Sequence, residues 1–145
     1  MLANGGLGGN GQRVLQRGTV ELMMTNHFEP GVVNSHIADV SAGCAIADCD
    51  QIPTDAVGYG IGGSVVLGRA GAADQFLGPR SQGTFGWLGY FFTEYWVDPA
   101  KELTVSFHSQ VMWGQFLGLG YEGKGKYIGE MGRVVAEKVY AAMGL

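Results

Sequence analysis

A chain of 145 residues is long enough for one domain or part of one. Hydrophobic residues make up 46% and charged residues 15%, with a formal net charge of −4. That balance excludes a disordered chain and leaves no basic footprint for nucleic acid. Every apolar run is broken by glycine or polar residues before it could span a bilayer, and no basic start leads into an apolar leader segment. The compartment stays open on this evidence. Glycine is the anomaly, at 26 residues against a usual share of about 7%. Without a collagen period, it marks turns and close backbone approaches.

Met1 to Gly6 reads as the last turn of a helix with a glycine stop. A start at a helix end gives the expectation of a truncated domain. Thr19 to Asn26 has helical spacing, with Val20, Met23 and Met24 on the apolar face. Residues 27 to 57 read as a long irregular connection. They hold Cys44 and Cys49, which are too few ligands for a zinc site and are open to free thiols or a local disulfide.

Tyr59 to Leu67 is a strand candidate with Ile61, Val65 and Val66, and Gly68 to Gln82 a loop. Gly83 to Gly89 reads as a glycine-thinned strand. A short return leads to a second aromatic strand ending at Val97, and Asp98-Pro99 reads as a turn. Leu103 to Met112 alternates clearly, with Leu103, Val105, Phe107 and Val111 on one face and Thr104, Ser106, His108 and Gln110 on the other. Gly114 to Gly129 reads as loop. Glu130 to Met143 is the best helix, with Met131, Val135, Val139 and Met143 recurring every fourth residue and Val134 widening the stripe. The expected fold is α+β: an antiparallel sheet of three or four strands with a C-terminal helix packed on it.

The G-x-G-x-x-G matches at Gly58 to Gly63 and Gly118 to Gly123 lack the strand–turn–helix context that brings a helix N-terminus to a pyrophosphate. The Gly118 to Lys124 stretch also resembles a P-loop, but Gly125 stands where a hydroxyl should reach magnesium. No cofactor is expected. His27, His36 and His108 are the possible bases. His108 and Ser106 share a strand face, but a triad also needs an orienting acid and an oxyanion hole. A solvated or oligomer-facing His108 is the preferred reading.

Several blocks in order resemble the β-lactamase-related serine hydrolases, the family of class C β-lactamases, penicillin-binding-protein-like peptidases and related esterases. They are Met1 to Leu15, Thr19 to Asn26, the Y-G-x-G of Tyr59 to Gly62, Gly83 through Pro99 and Leu103 through Gln110. The resemblance implies a Ser-x-x-Lys nucleophile and base, a Tyr-x-Asn, and a third motif lining the site from a strand. None of Ser35, Ser41, Ser64, Ser81, Ser106 or Ser109 has a lysine three residues on, and no Tyr-x-Asn occurs. Only the third motif has a counterpart, Trp87-Leu88-Gly89. By resemblance these residues line a substrate groove, and the Tyr90 N–H supplies half of an oxyanion hole. The chain departs from the family at Leu88 and Phe92, where glycine is usual.

These features give the expectation of a single partial domain over residues 1 to 145, the C-terminal part of such a hydrolase, with no catalytic residues and no metal of its own. The expected partner is a second copy of the chain or the N-terminal part of the family domain. The alternative is a stand-alone, non-catalytic binding or self-assembly module. A complete small enzyme built on Ser106 and His108 is the least favoured reading, for want of a supporting acid.

Overall fold

The computed structural model describes residues 1–29, 56–68, 78–89, 91, 93–110 and 126–145, with side chains in the last helix from Gly132 onward. The expected features at Cys44, Cys49, His36, Val111 and Gly118 to Gly125 lie outside them, as does most of the 27 to 57 connection.

The described elements are α1 (Arg17–Met23), β1 (Val57–Tyr59), β2 (Ser64–Val66), β3 (Phe85–Leu88), β4 (Glu94–Asp98), β5 (Leu103–Phe107) and α2 (Lys126–Met143). The five strands form one sheet in the order β1-β2-β3-β4-β5, every neighbouring pair antiparallel. Strand order follows chain order, so each strand pairs with the next one along the chain.

The sheet has five strands where three or four were expected, because the Tyr59 to Leu67 segment is a hairpin and not a strand. Gly60 to Gly63 turns the chain, and the Gly60 N–H donates to the Gly63 carbonyl at 2.8 Å. Gly62 takes φ +89°, a region closed to most side chains. Val65 and Val66 lie on β2 as their β-branched side chains suggest, but Ile61 falls in the turn, and the glycines inside the run are the reversal. The same hairpin disposes of the first G-x-G-x-x-G match, since an antiparallel strand follows it and no helix does.

At the N-terminus, Leu2–Asn4 form a single 3₁₀ turn stopped by Gly5 at φ 56°. The first full helix runs from Arg17 to Met23, shifted about half a turn earlier than the spacing predicts. Its buried residue is Val20.

Helix α2 begins at Lys126, one turn before the expected Glu130, so the predicted loop through Gly129 ends early. Its buried face also differs from the expected stripe. Ala136 and Tyr140 are fully buried against Trp96, with Leu103, Val105, Val135 and Val139 packed around them. Val134 and Met143 face solvent. A small alanine lets the helix approach the Trp96 ring, and tyrosine reaches past it to a polar partner. A stripe counted from aliphatic residues alone misses both.

β5 keeps its predicted alternation, with Leu103, Val105 and Phe107 half-buried and Thr104 and Ser106 exposed. Its ladder with β4 sets Trp96 opposite Val105 and Tyr95 opposite Ser106. Asp98 is more than the expected turn residue. It is fully buried, and its carboxylate accepts from Lys101 N, Ser81 N and the Tyr140 hydroxyl.

Candidate functional site

The register lines up Trp87 on β3, Tyr95 on β4 and Ser106 on β5 in one row. Directly opposed residues share a sheet face, and His108, two residues past Ser106, lies on that face too. Trp87, Leu88, Gly89, Thr93, Glu94, Tyr95, Ser106, Phe107 and His108 line an open groove of about 310 Å³ at this end of the sheet.

Trp87 is half-buried on β3, on a strand as the sequence predicts, and borders this groove. Its ring meets Tyr59 in a T-shaped contact, 5.1 Å between centroids, and Tyr59 in turn meets Phe28 at 6.0 Å. This aromatic chain holds the indole in place by edge-to-face packing. Tyr95 packs its ring at 6.4 Å from Phe85, and its hydroxyl donates to the Gly62 carbonyl at 3.3 Å. Burial, and secondarily the Tyr59 phenol, push the Tyr95 hydroxyl above its usual range, so it remains a proton donor.

The return from β3 to β4 is closed by the Gly89 N–H donating to the Thr93 carbonyl at 2.7 Å. Leu88 is half-buried and lies opposite Glu94. Tyr90 and Phe92 lie outside the described residues, so the predicted oxyanion N–H of Tyr90 is not among the groups placed here.

Sequence reasoning set Ser106 and His108 aside. The structure joins them: Ser106 Oγ lies 2.8 Å from His108 Nε2, both side chains exposed in the groove wall. Among the described residues no carboxylate hydrogen-bonds His108. His27 plays no part in the groove; its ring nitrogen meets the Leu22 carbonyl at 2.8 Å, at the end of α1. No cluster of metal-ligating residues occurs among the described residues.

The opposite sheet face carries an ion pair that sequence reasoning missed. Arg80 Nη2 reaches Glu94 Oε1 at 2.6 Å, with the side chains only 6% and 16% exposed. The guanidinium also lies over the Trp96 ring at 4.2 Å. Gly132 makes room for the pair, since a Cβ there would stand 2.6 Å from Glu94 Oε2. The partners are 14 residues apart on different elements, so no local spacing rule signals them.

No family model matches the chain, and no curated protein does either. Solved structures do match. An engineered mutant of simvastatin synthase (LovD) from Aspergillus terreus superposes with a TM-score of 0.60 at 21% identity, over 90% of this chain and 30% of the other. Unliganded LovD superposes with a TM-score of 0.57 at 20% identity, over 89% of this chain and 30% of the other. EstCE1, a hydrolase with promiscuous acyltransferase activity, reaches 0.47 at 24% identity, over 84% and 25% of the two chains. At these identities the likeness establishes the fold: the five-stranded antiparallel sheet and C-terminal helix are part of a β-lactamase-like α+β fold. The chain spans about 30% of the length of the LovD structures it matches.

Proposed function

We propose that this chain is the C-terminal, substrate-facing portion of a β-lactamase-related serine hydrolase and is not catalytic alone. The observation that carries this reading is the position of Trp87-Leu88-Gly89. The one of the family's three catalytic motifs with a counterpart in the sequence runs off the end of β3 at an open groove, inside a fold matched over 90% of the chain. The Ser-x-x-Lys that would attack a carbonyl is absent from the sequence. In this reading the nucleophile and its base come from polypeptide outside these 145 residues. Trp87, Leu88 and Gly89, with Tyr90 by resemblance, form the wall against which an acyl group lies. No lysine stands in the third motif to hold a substrate carboxylate, which favours neutral esters over β-lactams in the complete site.

Purified chain, offered short-chain p-nitrophenyl esters and a chromogenic cephalosporin, is expected to show no turnover. Loss of a nucleophile and its base removes many orders of magnitude of rate. Saturable turnover that survives purification and disappears in Ser106→Ala overturns the proposal. An in-frame Ser-x-x-Lys encoded upstream of the Met1 codon supports it directly.

One observation favours the second reading, an assembly module. β5 closes the sheet on one side, and no described strand pairs with its outer edge. Such edges recruit another chain, and closed two-fold pairing is the simplest outcome. Sedimentation would then report at least twice the 15.4 kDa chain mass at micromolar concentration. A cooperative, stable monomer removes this reading.

A further inference from the structure

We propose that Asn10 is a site of spontaneous deamidation, singled out by the fold from a second asparagine with the same neighbour. Asn4, Asn10 and Asn26 fall among the described residues, and Asn34 lies outside them. Asn4 and Asn10 each precede a glycine. In deamidation the backbone nitrogen of the following residue attacks the side-chain Cγ. Glycine favours this step, because it has no Cβ to crowd that nitrogen. Both Asn4 and Asn10 are exposed, so access to water does not separate them. Their backbones do.

Ring closure swings the following nitrogen toward Cγ by rotation about the Cα–C bond. Asn4 ends the 3₁₀ turn Leu2–Asn4. Rotation there breaks two backbone hydrogen bonds, Gly5 N to Leu2 O at 3.1 Å and Leu7 N to Asn4 O at 3.2 Å. Arg13 Nη1 also holds the Gly5 carbonyl at 3.1 Å, and Gly6 is buried. Asn10 stands at the tip of an exposed turn, closed by Gly8 N donating to Gln12 O at 2.8 Å. A Cβ on Gly9 or Gly11 would meet open space. Rotation at Asn10 breaks the Gly11 N to Gly8 O bond at 3.0 Å, and among the described residues no group bonds the Asn10 carbonyl. The Gln12 N–H donates to Asn10 Oδ1 at 3.1 Å, where negative charge grows during the attack. Asn26 is held fast: Oδ1 accepts from Phe28 N and Tyr59 N, Nδ2 donates to Phe28 O, and the next residue is His27.

In the step, hydroxide removes the Gly11 N–H proton and the nitrogen bonds to Cγ. The Cγ–Nδ2 bond breaks, and Nδ2 takes a proton from water and leaves as ammonia. Solvent water then opens the succinimide at either carbonyl, giving aspartate or isoaspartate at position 10. Each conversion adds one negative charge to the formal net charge of −4. Isoaspartate also inserts a methylene into the backbone of the turn. No residue of the sheet groove takes part, so this proposal and the hydrolase reading fail separately.

The test holds the purified chain at mildly alkaline pH, folded and in guanidinium chloride, and follows each asparagine by peptide mass spectrometry. In the folded chain Asn10 is expected to convert at least about tenfold faster than Asn4, the factor that one further hydrogen bond to break and a clamped turn provide. Asn26 is expected to be the slowest of the three. In guanidinium chloride the Asn4 and Asn10 rates are expected to converge, since both are then Asn-Gly pairs in an open chain. Gly11→Ala is expected to slow position 10 and leave Asn4 unchanged. The comparison within the parent protein needs no variant and stands whether or not Gly11→Ala folds. Equal rates at Asn4 and Asn10 in the folded chain, a difference that persists in guanidinium chloride, or a folded Gly11→Ala variant that converts as fast as the parent overturns the proposal.

Discussion

The Tyr140 hydroxyl donates a 2.7 Å hydrogen bond to Asp98 Oδ2, tying the last helix to the end of β4 across 42 residues of sequence. Tyr140 is 1% exposed and Asp98 is fully buried. The same carboxylate accepts Ser81 N at 3.0 Å and Lys101 N at 3.2 Å, so one side chain fastens a loop, a 3₁₀ turn and a helix to the sheet. Removing a partner from a buried charged group leaves that group short of a donor. Tyr140→Phe is expected to cost about 1.5–3 kcal/mol, read by urea denaturation. Asp98→Ala is expected to cost more, because it strands three donors at once. A Tyr140→Phe variant as stable as the parent would show that the helix is held by the Trp96 contact alone.

The same pair sets a pH window. Burial pushes Asp98 up, but hydrogen bonds from Tyr140, Ser81 and Lys101 outweigh it, and the carboxyl titrates below its ordinary 3.8. A lowered acid contributes stability that is present above 3.8 and is lost as pH falls through the folded value. Burial first, and the Asp98 carboxylate second, raise Tyr140 far above its ordinary 10.0. A raised phenol contributes stability that is present below 10.0 and is lost as pH rises beyond it. Denaturation midpoints are expected to hold between these limits and fall on both sides. Tyr140→Phe should flatten the alkaline limb, and a limb that remains unchanged would assign it to other groups.

Arg80 and Glu94 form a nearly buried pair, and removing the guanidinium strands the Glu94 carboxylate. Arg80→Met is expected to cost roughly 3–5 kcal/mol, and Glu94→Gln less, because Arg80 keeps the Gly132 carbonyl and the Trp96 ring as partners. The double variant should be markedly more stable than the sum of the two predicts, since neither charge is then left alone. Strictly additive losses in a double-mutant cycle would mean that packing of the Arg80 guanidinium over Trp96 dominates.

Gly86 and Gly89 separate backbone crowding from side-chain crowding. A Cβ on Gly86 would collide with the Tyr95 carbonyl oxygen and stand 2.9 Å from Trp96 Cα, both backbone atoms of β4. A Cβ on Gly89 would meet Thr93 Oγ1, which can rotate away. Gly86→Ala is therefore expected to destabilise by ~3 kcal/mol or more, and Gly89→Ala by about 1 kcal/mol or less. Thermal midpoints compare them directly, and equal shifts would mean that the β3–β4 ladder yields more easily than its register suggests.

The class of fold and the strand that carries Trp87 were legible in the side-chain pattern. Period-two alternation at Leu103 to Phe107 reports which side faces the core, and the aromatic run around Trp87 and Trp96 reports strands. These are local properties, written in side-chain spacing. Glycine was harder to read, because the same residue permits a thinned strand at Gly86 and a full reversal at Gly60 to Gly63. Only pairing to β1 and β3 distinguishes them. The buried face of α2 was read only in part, at Val135 and Val139, for a related reason. Ala136 and Tyr140 are not strongly apolar letters, and they become core only because Trp96 and Asp98 stand opposite. The Asp98–Tyr140 bond, the Arg80–Glu94 pair and the aromatic chain from Phe28 through Tyr59 to Trp87 join residues far apart in sequence. Tertiary structure alone decided these contacts, because no spacing along the chain records which distant groups burial will bring together and oblige to satisfy one another.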